Sequence, residues 1–183
     1  MISEAQYNQF RSERWRDTWH HLPFFKEIAG GTILEIGTHA GASTCAFLYG
    51  LDEKESGHLY SVDIDAKSPA IVSLAGHPRW TFILGDSKDL RILPPAVLAG
   101  VDILFVDGDH SYEGASADLN NLFTLVRPGG LLLMHDVGEV PPNTPGTPFL
   151  GVRKAFQELR ERYTNNVSYI FPESWGLGVM EVS

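Results

Sequence analysis

The sequence alternates short apolar runs with helical patterns, and this alternation constrains the fold more than any other feature. Five apolar runs predict buried strands, at residues 32–36, 58–65, 80–84, 101–106 and 131–134. Two further runs, 167–171 and 177–182, are separated only by a turn-prone segment. Strands joined by helices form right-handed crossovers in a parallel sheet, whereas two strands without an intervening helix pair antiparallel. The sequence therefore predicts an α/β fold, a doubly wound, mostly parallel seven-stranded sheet with a C-terminal antiparallel hairpin.

The helices of this fold are indicated by apolar residues spaced three and four apart, which share one helix face. One helix is predicted over 41–49, and the polar stretch 3–20 is a further candidate. We expect residues 1–29 to form an N-terminal helical segment and residues 30–183 to form the main domain. A Pro-rich stretch, 141–148, is either a lid over the ligand side or a stiff connector. Two longer helices are predicted from the apolar positions Tyr112, Ala115, Leu119, Leu122, Phe123 and Val126, and Phe149, Val152, Phe156, Leu159 and Tyr163.

Charge and hydropathy limit the partners of the chain. It has 183 residues and a formal net charge of −9, and its Lys and Arg residues are scattered. An acidic surface repels phosphate backbones, so we expect a small-molecule partner and no nucleic acid. Residues 1–10 lack the order of a signal peptide, and no apolar run approaches the roughly 20 residues of a membrane span. These features predict a cytoplasmic protein without a membrane partner, and the aromatic N-terminal segment leaves a homodimer open.

Polar and acidic residues follow the predicted parallel strands. The carboxyl ends of parallel strands meet at one edge of a sheet, where such folds bind ligands. Any one of these residues is explained equally well as a helix cap or turn former. Their convergence at one edge favours a binding site, with Glu35, His39 and Ser43 at the first strand, Asp63 at the second, Asp86 and Ser87 at the third, Asp107, Asp109 and His110 at the fourth, and His135 and Asp136 at the fifth.

The loop after the first strand differs from that of dinucleotide enzymes. Gly37 and Gly41 have the spacing Gly-x-x-x-Gly, not Gly-x-Gly-x-x-Gly. They permit a tight turn and the approach of a ligand to backbone N–H groups at a helix start. Such a loop suits a ligand with an amino-acid tail, and Asp63, about twenty residues further on, can accept both hydroxyls of a ribose.

Several segments together resemble the class I S-adenosylmethionine-dependent methyltransferases. They are 33–41, 62–65, 85–87, 106–114 and 128–130, followed by His135 and Asp136. Within that class they are similar to methyltransferase family 24 and to the small O-methyltransferases of the catechol, caffeoyl-coenzyme-A and macrolide-sugar types. The most specific piece is 107–114. The resemblance implies a Rossmann-like methyltransferase fold with S-adenosylmethionine as the methyl donor.

The resemblance also implies roles for individual residues. Asp63 would accept the ribose hydroxyls, Asp86 and Ser87 would flank the adenine, and Asp107 would lie beneath the sulfonium. The methionine part of the donor would be surrounded by Glu35, Gly37, His39, Gly41 and Ser43.

A divalent metal, Mg²⁺ or Mn²⁺, is implied for the metal-dependent relatives, with Asp107 and Asp136 as ligands. A further oxygen or amide ligand usually adjoins the second acid, but here the neighbour is His135. This departure disfavours a hard Mg²⁺ site, and a histidine ligand shifts the preference towards a transition metal. Asp107, His135 and Asp136 are therefore the candidate metal ligands, with a buried, hydrogen-bonded His135 as the alternative.

The expected reaction is in-line transfer of a methyl group to the hydroxyl oxygen of a small molecule. Asp107 and His110 are the candidate catalytic residues, because an imidazole with a pKa of about 6.5 suits proton abstraction near neutral pH. The alternative for His110 is a cap on the following helix. Two other classes stay open: a donor-binding protein without catalysis, and a nucleotide-dependent oxidoreductase on the same fold.

Overall fold

Seven strands form one sheet in the order β3-β2-β1-β4-β5-β7-β6 in a computed structural model that describes residues 1–13, 18–65, 73–139 and 150–183. Strands β1 to β5 pair parallel, and β7 pairs antiparallel with both β5 and β6. The predicted doubly wound sheet with a C-terminal antiparallel hairpin is confirmed. The strands are β1 (Thr32–Ile36), β2 (His58–Asp63), β3 (Trp80–Leu84), β4 (Val101–Val106), β5 (Val126–His135), β6 (Val167–Phe171) and β7 (Leu177–Glu181).

Helices cover both faces of the sheet, as parallel strands require. On one face α1 and α2 pack on α3, and on the other face α5 packs on α6. Short 3₁₀ turns at Leu90–Ile92 and Phe123–Leu125 complete the connections. The helices are α1 (Glu4–Ser12), α2 (Leu22–Ile28), α3 (Ala42–Glu53), α4 (Pro95–Leu98), α5 (Tyr112–Leu122) and α6 (Leu150–Arg162).

The core under α2 and α3 is built on three aromatic rings. Phe25, Phe47 and Phe105 are fully buried, and their ring centroids lie 4.9 to 5.9 Å apart. Burying a side chain of this kind contributes about 1.5–3 kcal/mol. Because α1 and α2 bury Tyr7 and Phe25 in this same cluster, residues 1–13 and 18–29 share a core with α3. The division of the chain at residue 30 stays a prediction.

Several element ends differ from the sequence-based prediction. The first helix is not continuous over 3–20, because α1 ends at Ser12; residues 14–17 and the loop 141–148 lie outside the described residues. Strand β2 ends at Asp63, two residues earlier than predicted, and α3 continues to Glu53. No helix in the described part of the chain combines the length and hydrophobicity of a membrane-spanning segment.

The largest difference is at β5, predicted over 131–134 and observed from Val126. The apolar spacing predicted a helix running to Val126, and Pro128, Gly129 and Gly130 favoured a turn before the strand. The backbone N–H of Gly129 instead donates to Val182, and the N–H of Val182 donates to Gly130. Pairing of Val126 with Val101 of β4 across a bulge, together with pairing to the chain beyond β7, therefore extends the strand through a sequence that favours a turn.

Candidate active site

The turn after β1 is held close to the end of β4. Gly37 has φ +87°, and a Cβ atom there would collide with the carbonyl of Asp107. Gly41 has φ +80° and is the N-cap of α3. Both positions therefore require glycine, since other residues rarely adopt this conformation.

Asp63, at the end of β2, stabilises the turn after β1 by accepting hydrogen bonds from it. Its Oδ2 accepts hydrogen bonds from the backbone N–H of Thr38 (2.8 Å), the Thr38 hydroxyl (2.8 Å) and the backbone N–H of His39 (3.2 Å). Its Oδ1 accepts from the N–H of Asp65 at 2.8 Å. Burial acts to raise the pKa of Asp63, but these bonds outweigh it and lower the pKa, so the carboxylate stays charged.

Glu35, near the end of β1, lies fully buried beneath the start of α3. Its carboxylate accepts hydrogen bonds from the hydroxyls of Ser43 (2.6 Å), Thr44 (2.8 Å) and Ser61 (2.6 Å). Burial raises the pKa of Glu35 to about 7, although the three hydroxyl bonds act in the opposite direction. Glu35 therefore ties β1 and β2 to the N-terminus of α3.

A cavity of about 420 Å³ opens at the carboxyl ends of β1 to β4. Five aspartates lie in its wall against one cation among the described lining residues, Lys88. Such a wall suits a positively charged ligand and disfavours a pyrophosphate. The lining residues are Ile36, Gly37, His39, Val62, Asp63, Ile64, Asp65, Gly85, Asp86, Ser87, Lys88, Asp107, Gly108 and Asp109.

Two acids and two histidines meet beside this cavity, at the ends of β4 and β5. We call Asp107, His110, His135 and Asp136 the acid–histidine cluster. His110 Nε2 lies 3.5 Å from Asp107 Oδ1 and 3.2 Å from Asp136 Oδ2. His135 Nδ1 lies 3.5 Å from Asp107 Oδ1 and 3.2 Å from Asp136 Oδ1. Each histidine thus lies between the same two carboxylates.

The buried half of the cluster contains polar atoms without hydrogen bonds. Asp136 is 0% exposed and His135 is 1% exposed. His135 Nε2 contacts the carbonyl oxygen of Ser174 at 2.8 Å. In the described part of the chain, neither His135 Nδ1 nor either carboxylate oxygen of Asp136 has a hydrogen bond of good geometry. Asp136 also has φ +62°, which is strained for a non-glycine residue.

Protonation in the cluster follows from its charges. Burial acts to lower the pKa of His135, but the negative charge of Asp107 and of Asp136 raises it well above the usual value. Contact with Asp107 raises the pKa of His110 despite its burial. Burial acts to raise the pKa of Asp107, but the two histidines lower it, whereas burial raises the pKa of Asp136. The cluster therefore attracts a positive charge, either a proton or a metal ion.

The atoms present fit a divalent ion. One ligand atom from each of Asp107, His110 and Asp136 can be chosen so that all three lie within 4.8 Å of one another. The structure thus groups His110 with the two acids, where the sequence predicted His135. Because His135 Nδ1 adjoins both carboxylates, the assignment of His135 as a ligand stays a prediction.

The other predicted site residues divide into two groups. Gly37, His39, Asp63, Asp86, Ser87 and Asp107 line the cavity, whereas Glu35, Gly41 and Ser43 are not among its lining residues. His110 is not the cap of α5, because Ser111 is the N-cap residue and its hydroxyl accepts from the N–H of Gly114 at 3.0 Å. The alternative prediction of a capping role for His110 is therefore wrong.

Sequence reasoning missed Asp118, a carboxylate behind the cavity wall. Asp118 lies on α5, is 1% exposed, and accepts a hydrogen bond from the Ser87 hydroxyl at 2.6 Å. One signal was available, because position 118 falls three residues after Ala115 and four before Leu122, on the buried face of the helix. A charged residue on that face is unusual and indicates a specific partner.

The chain belongs to the methyltransferase domain family, whose model matches residues 34–137. The predicted family and its Rossmann-like fold are confirmed, and at the level of the family so is the class of S-adenosylmethionine-dependent methyltransferases.

Similar proteins of known sequence or structure agree with this family. tRNA N(3)-methylcytidine methyltransferase trm140 of Schizosaccharomyces pombe is 28% identical over 142 residues, which are 72% of this chain and 45% of that protein. The chain therefore spans less than half the length of this curated relative.

Two solved structures show the same fold. The S-adenosylhomocysteine-bound methyltransferase PaMTH1 of Podospora anserina has a TM-score of 0.71 at 16% identity, covering 97% of this chain and 86% of that one. The O-methyltransferase TomG of Streptomyces achromogenes, solved with S-adenosylmethionine, has a TM-score of 0.68 at 20% identity, covering 100% and 82%.

Proposed function

We propose that this protein transfers a methyl group from S-adenosylmethionine to a hydroxyl oxygen of a small molecule. The observation that carries the proposal is the position of the acid–histidine cluster at the edge of the carboxylate-lined cavity. Asp107 belongs to both, and so links the donor site to the groups that can take a proton.

The cavity fits the donor in size and charge. Its volume, about 420 Å³, falls in the range of roughly 300–1,000 Å³ that small-molecule pockets occupy. When bound, S-adenosylmethionine supplies a methyl group on a positively charged sulfonium, and the acidic wall suits that charge. The complexes of PaMTH1 with S-adenosylhomocysteine and of TomG with S-adenosylmethionine support the same donor here.

We assign the lining residues to parts of the donor by their strand. Asp107, on the side of the acid–histidine cluster, lies at the sulfonium end, and Gly37 and His39 lie along the methionine part. Asp63 accepts from the ribose, because its Oδ1 takes one hydrogen bond from the described residues and keeps a lone pair. Asp86 and Ser87 flank the purine. Beneath the cavity, Glu35, Ser43 and Gly41 fix the start of α3 and so act on the donor indirectly.

His110 is the general base of this proposal. Its side chain is 32% exposed, so an acceptor hydroxyl can reach the ring. His110 takes the hydroxyl proton as the oxygen attacks the methyl carbon, and the neighbouring Asp107 and Asp136 stabilise the resulting imidazolium.

Asp107, Asp136 and His135 would hold a divalent ion, which would leave His110 as the base. This ion is supported by buried polar atoms of His135 and Asp136 that have no hydrogen bond within the described residues, because a cation would satisfy them. A bound ion would lower the pKa of an acceptor hydroxyl in contact with it.

Two competing functions have less support. A nucleotide-dependent oxidoreductase needs a site for a pyrophosphate, and five aspartates in the cavity wall repel that group. Methylation of tRNA has a precedent in trm140, but the acidic cavity and the net charge of −9 favour a small acceptor over a polyanion.

The first test is titration calorimetry with S-adenosylhomocysteine. We expect binding to the unaltered chain and its loss in Asp63→Ala, because the turn and the ribose both depend on that carboxylate. Asp89→Ala is the matched control, since Asp89 pairs with Arg91 outside the cavity. No binding to the unaltered chain would contradict the proposal.

The second arm measures turnover on vicinal diols and catechols, with and without Mn²⁺. We expect His110→Gln to lower kcat by about 10²–10⁴-fold while the affinity for S-adenosylhomocysteine stays within about threefold. An unchanged kcat in His110→Gln would show that His110 is not the general base. Full turnover in the presence of a strong chelator would show that the reaction does not need a metal ion.

A further inference from the structure

The hydroxyl of Ser87, in the cavity wall after β3, donates a hydrogen bond to Asp118 on α5. Ser87 Oγ donates to Asp118 Oδ1 at 2.6 Å. A Cβ atom on Gly108, which also lines the cavity, would lie 3.6 Å from Asp118 Oδ2. Asp118 is 1% exposed and is not among the lining residues, so it lies behind the wall, in hydrogen-bond contact with the lining residue Ser87.

This hydrogen bond fixes what Ser87 can offer to a ligand. A serine hydroxyl has one hydrogen and two lone pairs, and an ionised carboxylate can only accept. Because the hydrogen of Ser87 is used by Asp118, the Ser87 oxygen faces a ligand as an acceptor. A ligand group at this point must therefore be a donor.

The part of the donor molecule that reaches Ser87 follows from the strand order. The acid–histidine cluster lies after β4 and β5, whereas Ser87 follows β3, three positions away from β4 in the sheet. Ser87 and Asp107 therefore follow the two outermost of the four strand ends that line the cavity. With the sulfonium beside Asp107, the purine lies at Ser87.

We propose that Asp118 determines the base specificity of the donor site. By holding Ser87 as an acceptor, it selects a purine with an exocyclic amino group, the N6 amine of adenine, and rejects a 6-oxo purine such as hypoxanthine. The inference rests on the proposed function, because it takes the cavity as the S-adenosylmethionine site.

The test compares S-adenosylhomocysteine with S-inosylhomocysteine by calorimetry. It is run at about pH 8, well above the ordinary carboxyl pKa of about 3.9, because burial raises the pKa of Asp118. In Asp118→Asn the amide can donate to Ser87 and release the serine hydrogen. We expect adenosyl binding to weaken, inosyl binding to tighten, and their affinity ratio to fall about 10- to 100-fold. A general loosening of the wall would weaken both ligands alike.

Two further variants complete the experiment. Ser87→Ala should also bring the ratio towards one, because it leaves neither donor nor acceptor. Ser116→Ala is the matched control on the same helix, since the Ser116 hydroxyl has no hydrogen bond within the described residues, and it should keep the ratio of the unaltered chain.

The outcomes distinguish a failure of this inference from a failure of the proposed function. If the unaltered chain binds S-adenosylhomocysteine and Asp118→Asn keeps the original ratio, Asp118 does not set the specificity, although the donor site stands. If Asp118→Asn fails to fold, an unchanged ratio in Ser87→Ala overturns the proposal in the same way. An unaltered chain that binds neither ligand overturns the proposed function and this inference together.

Discussion

Glu35 shows how one buried carboxylate can link the donor site to pH. Its three hydroxyl partners come from β2 and from the first turn of α3, and Ser61 in turn accepts from the indole N–H of Trp80 at 2.9 Å. Neutral hydroxyl donors compensate a buried charge less well than cations do, so burial raises the pKa of Glu35 to about 7. The folded protein therefore binds a proton here more tightly than the unfolded chain does.

We predict that Glu35→Gln removes a pH dependence of stability. A raised folded-state pKa stabilises the protein fully below the unfolded value of about 4.3, and this contribution is lost as the pH rises to about 7. Between about pH 5 and pH 8, the free energy of unfolding of the unaltered chain should fall by about 2–3 kcal/mol relative to Glu35→Gln. Urea unfolding of both proteins at the two pH values measures this, and a constant difference would contradict the raised pKa.

At the scale of single residues, the sequence predicted the edge of the sheet that binds a ligand from the residues after its strands, and the resemblance to methyltransferases implied their roles. Acids after parallel strands were predicted to converge, and the structure places Asp63 and Asp107 in the cavity wall and Asp136 in the acid–histidine cluster. The sequence could not predict that Glu35 and Ser43 lie beneath the cavity, since burial depends on how α3 crosses the sheet. The sequence also gave no prediction for Asp118, because its hydrogen-bond partner Ser87 is distant along the chain.

Among the elements, β7 and α6 approach each other closely at a glycine. A Cβ atom on Gly178 of β7 would lie 2.6 Å from two ring carbons of Phe156, which is fully buried on α6. Only a glycine lets the helix approach the strand to this distance. The contact keeps α6 against the hairpin that completes the sheet.

We predict that Gly178→Ala lowers the free energy of unfolding by about 1–3 kcal/mol, because the added methyl group overpacks a closed interface. For a chain of this size that corresponds to a decrease in Tm of about 2–12 °C, measurable by circular dichroism. Gly30→Ala is the control, since its Cβ would meet only an ordinary contact at 3.7 Å. Equal Tm values for the two variants would show that Phe156 moves aside freely.

Element ends were less predictable than element types. The apolar spacing correctly predicted a helix after β4, but not that it would end at Leu122 in favour of a 3₁₀ turn and a longer β5. Gly129 and Gly130 favour a turn locally, and their pairing with Val182 overrides that preference. A partner more than fifty residues away along the chain leaves no local signal.

For the whole molecule, charge is the feature with the widest effect. The net charge of −9 and the acidic cavity oppose binding of any polyanion. Binding of this kind is driven by release of counterions from phosphates, and it strengthens steeply as salt is lowered.

We therefore predict that tRNA at about 10 μM protein shows no mobility shift at physiological salt, and that lowering the salt to about 50 mM produces none. The same protein preparation should bind S-adenosylhomocysteine, which controls for folding. A complex that strengthens as salt falls, or methylated cytidine in the tRNA, would contradict a small-molecule acceptor.

The place of β7 between β5 and β6 also has a consequence during translation. The ribosome must add the residues from His135 to Glu181 before β5 gains its outer neighbour. At about 5–20 residues per second, this interval lasts roughly 2–9 seconds. Throughout it, the backbone N–H and C=O groups along one side of β5 are an open edge on the nascent chain, able to pair with a neighbouring polypeptide. The yield of folded protein should therefore depend on elongation rate and on chaperones that cover this edge.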